Sequence, residues 1–138
     1  MIQKQIACDV IDNSIPRDIY GNVTSSGELV NNPVPYSFTL HEIRNKHLPY
    51  TPPKTSPFYV EQMYEVSKIM SDQRLVVRSK VRSLIENYHE IHKPIIIAKF
   101  EESPYFLVCD GNHRLAAARL LGIQYISAYL VDVRESFR

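Results

Sequence analysis

The stretch from Cys109 to Gly122, CDGNHRLAAARLLG, follows directly on the apolar run from Tyr105 to Val108. Its second half is rich in Ala and Leu, strong helix formers, so it reads as a helix opening at Asn112. Gly122 stands where a left-handed C-terminal cap belongs. The opening is less ordinary. A helix begun only for stability more often shows Ser or Thr followed three residues later by Glu. Here Asp110, Gly111, Asn112, His113 and Arg114 place a carboxylate, a flexible turn, an imidazole and a guanidinium side by side.

A helix N-terminus presents unpaired backbone N–H groups and the positive end of the helix dipole, and both attract anions, phosphate above all. Gly111 lets a ligand approach the backbone closely, because no Cβ stands in the way. His113 and Arg114 oppose the dipole as cations in the first turn, which makes sense if they contact an anion; Arg forks match phosphate oxygens well. Asp110 could cap the helix, hold Mg²⁺ or orient a hydroxyl. The plainer alternative is that Asp110 is only the cap and the two cations are solvated.

Outward from this junction, PIIIAKF (94–100) and YFLVC (105–109) read as strands paired across EESP, and YISAYLVD (125–132) as a third. LVVRSKVRSLIENYHEIH (75–92) carries Val77, Val81, Leu84, Ile85 and Tyr88 at helical spacing and is stopped by Pro94. PFYVEQMYEVSKIM (57–70) reads as a further helix capped by Ser56, with Val60, Met63, Tyr64 and Met70 near one face. Six of the nine prolines fall between Pro33 and Pro57. Residues 44–57 are therefore expected to form a long surface loop, a candidate lid or binding loop. The first 40 residues read as short strands and turns, with a hairpin tip in GNVTSSGELV (21–30). The expectation is one α+β domain over 1–138, a small mixed sheet with flanking helices, with residues 1–35 as a β-rich N-terminal extension.

Composition narrows the function. The chain has 138 residues, 44% of them hydrophobic and 22% charged, a globular balance. Sixteen Lys and Arg against fifteen Asp and Glu give no global field for nucleic acid or membrane. No apolar run is long enough to span a bilayer, and the start, with Lys4 and Asp9, does not read as a secretory signal. Cys8 and Cys109 form no disulfide framework, so both are expected to be reduced in a cytoplasmic setting.

The run KPIIIAKF…FLVCDGNHRLAAARLLGIQYISAYLVD resembles the ParB/sulfiredoxin superfamily. FTLHEI (38–43) resembles the opening of that domain, and SKVRSLIENYHEIHKP the helix before its hairpin. The resemblance implies a strand-turn-helix that holds nucleotide phosphates. Where sulfiredoxins need a nucleophilic Cys this chain has Asn112, so sulfinic acid repair is not expected. ParB proteins carry G-E-R-R at this turn, against Gly111, Asn112, His113 and Arg114 here. The chain also shows no helix-turn-helix after the last strand, so a full partition protein is not expected either. The D-G-H-H-R branch, which includes the ADP- or ATP-dependent free serine kinases, is closer. By that resemblance Asp110 and Glu42, in HEI, are the candidate catalytic carboxylates. Gly111, Asn112, His113 and Arg114 are the candidate phosphate ligands, and the implied cofactors are Mg²⁺ and a nucleotide (ATP, ADP or CTP).

The implied activity is phosphoryl transfer to a small hydroxyl-bearing acceptor, or nucleotide hydrolysis. Two alternatives stand beside it, a ParB-like nuclease or nucleic-acid binder and a non-catalytic nucleotide-sensing module. Arg74, Arg78 and Arg82 recur every four residues, either a row of phosphate contacts or a solvated flank covering core edges. His89 and His92 lack the H-E-x-x-H order and a third ligand, so a metal site is not expected there. His41 and His47 flank the proline-rich loop and could reach a substrate.

Overall fold

Four consecutive residues, Ile95, Ile96, Ile97 and Ala98, are buried, which a strand achieves only when both of its faces are covered. They are the middle of the sheet. The computed structural model describes residues 2–37, 60–99 and 104–132. Along these run α1 (Ile2–Asp12), β1 (Leu29–Asn31), β2 (Glu61–Glu65), β3 (Ile69–Met70), β4 (Leu75–Val77), α2 (Arg78–Glu86), β5 (Ile95–Lys99), β6 (Phe106–Asp110), α3 (Asn112–Leu120) and β7 (Tyr125–Asp132), with short 3₁₀ turns at Val66–Lys68 and Tyr88–His92. The main sheet has the order β2-β7-β5-β6-β3. β5 pairs antiparallel with β6 and parallel with β7; β2 runs antiparallel to β7, and β3 parallel to β6. The fold is α+β with a mixed sheet, as the sequence suggests.

Helix α3 packs against the other two helices and shares the buried core with Ile95, Ile97 and Val108 of the sheet. Leu115, Ala116, Ala117 and Ala118 are fully buried, a complete turn with no outward side, and the three Ala side chains let neighbouring backbones come close. Gly122 ends the helix at φ +72°, the left-handed cap expected.

The N-terminal extension begins differently from its expected strands. Ile2–Asp12 is a helix that buries Ala7, Cys8 and Ile11 in the same apolar cluster as Val81, Ile85 and Leu115. Its β-branched Ile2, Ile6, Val10 and Ile11 favour strand locally. Packing against α2 overrides that preference. Asp12 finishes the job, accepting Arg78 at 3.3 Å and Arg82 at 3.2 Å. Among the described residues of the extension the one regular strand is β1, which pairs antiparallel with β4.

The segment expected as a helix over 57–70 is also a correction. From residue 60 onward it is extended, as β2, a 3₁₀ turn and β3. Its partner decides this: every residue from Glu61 to Glu65 pairs with β7. Tyr64 turns inward and sets its ring edge-on to Phe106, with centroids 5.1 Å apart. Ser56, Glu42, His41, His47 and the loop 44–57 lie outside the described residues.

The Asp12 clamp gives a first prediction. Both arginines are more than a third exposed, so Asp12→Ala should lower unfolding stability by only about 0.5–1 kcal/mol. Urea titration at low and at 0.5 M salt, about, checks it; the difference should shrink with salt.

Candidate functional site

Strand β6 ends at Asp110, which is exposed, and α3 begins two residues later. Gly111 between them occupies the N-cap position at φ +106°, where side chains rarely go. A Cβ there would meet the Cγ2 of Ile95 and lie 2.7 Å from its Cβ. The glycine is thus required twice, by its torsion and by the strand it touches. It has no side chain with which to cap the helix. The first intrahelical bond runs from the Leu115 N–H to the Gly111 carbonyl, 3.0 Å. The amides of Asn112, His113 and Arg114 precede it, the set a helix start leaves for an outside acceptor. Asp110 lies one residue ahead of the cap position.

The three side chains that follow Gly111 are each tied to a different neighbour. Asn112 is buried, and its Oδ1 accepts the hydroxyl of buried Ser71. His113 accepts the Val77 N–H through Nε2 at 3.1 Å. Arg114 donates from Nη1 to the carbonyls of Lys93, 3.0 Å, and Pro94, 2.8 Å. The sequence reading gave these side chains to a phosphate; in the structure they first fix the turn. The imidazole is also not the expected cation. An Nε2 that accepts a hydrogen bond carries no proton, so His113 is neutral with its proton on Nδ1. Burial holds its pKa below the ordinary value, and the nearby Lys80 charge pushes it the same way. Arg114 keeps donors to spare, since a guanidinium has five N–H groups.

A second helix start lies beside the first, because Val77 is the N-cap residue of α2. That one is filled. The Glu28 carboxylate accepts the Ser79 N–H at 3.1 Å and the Ser79 hydroxyl, and these bonds hold its pKa below the usual carboxylate range. The α2 start therefore takes its anion from Glu28, while the α3 start opens on a glycine that has no side chain to offer its amides.

The arginine row is spoken for within the chain. Arg78 and Arg82 converge on Asp12, and the Arg74 guanidinium lies 4.0 Å above the Tyr36 ring. His89 pairs with Glu90, and His92 stands edge-on to Tyr88. No group of three or more His, Cys, Asp or Glu residues that could hold a metal occurs among the described residues. Asp110 is the carboxylate at the turn; one carboxylate together with nucleotide phosphates is a donor set that Mg²⁺ accepts. No helix of the described residues is long and apolar enough to cross a membrane. A shallow cavity of about 310 Å³ lies by the far end of α3, lined by Val66, Ser67, Arg119, Gly122, Ile123 and Gln124. It has no part in the turn. Nothing in the sequence marks Ser71, Glu28 or Lys80 as near this turn, since a lone Ser, Glu or Lys carries no local signal.

No protein-family model matches the chain. Among curated proteins it is similar to the ATP-dependent L-serine kinase of Desulfurococcus mucosus, 34% identical over 86 residues, which cover 58% of this chain and 33% of that protein. The chain thus spans about a third of the length of the curated relative it matches. Among solved structures it is similar to a free serine kinase in complex with AMP, at 25% identity and a TM-score of 0.46 over 53% of this chain and 30% of that one. It is also similar to the C-terminally truncated chromosome-partitioning protein ParB from Caulobacter crescentus complexed with CTP-gamma-S, at 12% identity and a TM-score of 0.44 over 53% and 44%.

Two outcomes follow from the geometry. Gly111→Ala should cost at least about 2 kcal/mol, from left-handed strain and overlap with Ile95 together; chemical denaturation measures it, and an unchanged midpoint would contradict the contact. For His113, a depressed pKa means that its contribution is fully present above the unfolded value of about 6.5 and is lost as pH falls from there toward the folded value. An NMR titration should find the Nδ1-protonated tautomer at pH 7, about, and a midpoint below the ordinary value.

Proposed function

We propose that this chain is a nucleotide-dependent phosphotransferase whose phosphate site is the turn Asp110–Arg114 and whose acceptor is a small hydroxyl compound, free L-serine being the first to test. The observation that carries this reading is the contrast between two adjacent helix starts. The N-terminus of α2 takes up the Glu28 carboxylate, whereas that of α3 opens on a glycine with no side chain of its own to cap it and follows an exposed carboxylate. The similarity to a curated ATP-dependent L-serine kinase supports the choice of reaction.

In this account the amides of Asn112, His113 and Arg114 bind the nucleotide phosphates, helped by the remaining donors of Arg114 and the Nδ1–H of His113. Asp110 orients the acceptor hydroxyl toward phosphorus and takes its proton as the new P–O bond forms and the bond to the leaving nucleotide breaks. Glu42 is the proposed second carboxylate. Mg²⁺ bound to the nucleotide phosphates would neutralise charge on the transferring group. Positioning and electrostatics supply the rate, as phosphoryl transfer needs little covalent help from a protein. Engagement of Arg78 and Arg82 by Asp12 gives the nucleic-acid reading no supporting row of free cations.

Asp110→Asn isolates the chemistry. Gly111, not Asp110, is the cap residue and Asp110 is exposed, so the melting temperature should stay near that of the parent. Asn cannot take a proton, so turnover with ATP or ADP and L-serine should fall ~10²- to 10⁴-fold while nucleotide binding survives. Full activity in the variant would remove Asp110 from the chemistry. Binding of short DNA or RNA with no affinity for free nucleotide would turn the reading toward a nucleic-acid enzyme.

A further inference from the structure

Ser71 is fully buried and makes four hydrogen bonds, two on each side of the loop it belongs to. Its backbone faces the N-terminal segment: the Ser71 N–H donates to the Pro35 carbonyl, 2.9 Å, and its carbonyl accepts the Ser37 N–H, 2.7 Å. Its side chain faces the helix start: the hydroxyl donates to Asn112 Oδ1 and accepts the Gln73 N–H, 3.0 Å. That uses the hydroxyl proton and a lone pair.

The residues beyond Ser71 repeat the arrangement. The Asn32 N–H donates to the Arg74 carbonyl and the Asn32 side chain to that of Gln73, both 2.9 Å, and Arg74 stacks on Tyr36. Leu75 to Val77 pair with β1, and the Val77 N–H reaches His113. Residues 71–77 thus form a strip with the N-terminal segment on its outer edge and the first turn of α3 on its inner edge.

We propose that Ser71 is a positioning residue for the phosphate-binding turn, and that the N-terminal segment sets the geometry of that turn through it. The inference rests on the turn being the phosphate site. Asn112 is the first residue of α3, so the orientation of its carboxamide and the aim of its amide N–H are set together. With Ser71 lost, a buried amide oxygen is left without its donor, a situation the chain relieves by moving the turn.

The test has two independent readouts on Ser71→Ala and on Ser71→Thr, which restores the hydroxyl. Hydrogen exchange followed by NMR reads the turn without any ligand. Exchange at Asn112, His113 and Arg114 should quicken at least ~5-fold in Ser71→Ala, with the C-terminal turn of α3 unchanged and Ser71→Thr closer to the parent. Nucleotide affinity reads the consequence: ADP should bind roughly 5- to 50-fold more weakly to Ser71→Ala, with the Thr variant again intermediate. Exchange in the turn no faster than elsewhere, or an even loss of protection through the whole fold, would overturn the positioning role. If the parent itself binds no ADP, the phosphate reading fails while the exchange experiment still decides whether Ser71 positions the turn. If a Ser71→Ala variant does not fold, Asn112→Asp takes its place. It keeps the acceptor for the Ser71 hydroxyl, so the exchange pattern of the turn should match the parent's; faster exchange at Asn112, His113 and Arg114 despite the retained acceptor would overturn the positioning role.

Discussion

The proposed site depends first on the contact between the Gly111 backbone and Ile95, the tightest approach at any of the four glycines. Strand β6 must pass so near the start of β5 that only a hydrogen fits where a Cβ would be. That approach turns the chain sharply from strand to helix and puts Arg114 within reach of the Lys93 and Pro94 carbonyls. It also leaves the cap position without a side chain. The amides that begin α3 and the exposed carboxylate of Asp110 acquire their relative placement from this one turn.

The side chains of the turn serve mainly to hold it. Asn112 looks to Ser71, His113 to Val77 and Arg114 to the segment before β5, so three consecutive residues are braced in three directions. Such bracing would suit the proposed anion site, because backbone amides held rigidly need no reorganisation when charge arrives. It also explains a neutral histidine beside a proposed phosphate. Its Nε2 accepts a hydrogen bond that an imidazolium would forfeit, and burial with Lys80 nearby opposes protonation.

Much of this was legible in the sequence where local signals and packing agree. The hairpin of β5 and β6, helix α3 bracketed by Gly111 and Gly122, and strand β7 all announce themselves through apolar runs and punctuating glycines. The failures lie where a distant partner decides. Met63 and Tyr64 suggest a helical face, yet β7 draws that segment into an edge strand. β-branched residues in 2–12 suggest strand, yet α2 offers a groove that a helix fills with Ala7, Cys8 and Ile11. At the proposed site, the motif Asp110 to Arg114 stands out in the sequence because its residues are consecutive. Ser71 and Glu28 do not, since their roles arise from contacts across 41 and 51 residues of chain.

The most direct test of the central claim is a ¹⁵N-edited NMR titration of the intact protein with ADP and Mg²⁺, with a short oligonucleotide as comparison. The account predicts saturable shifts centred on the amides of Asn112, His113 and Arg114, spreading to residues 71–77 through Ser71 and Val77. Shifts confined to the cavity beside Arg119 and Gln124, or no shift with ADP, would contradict it.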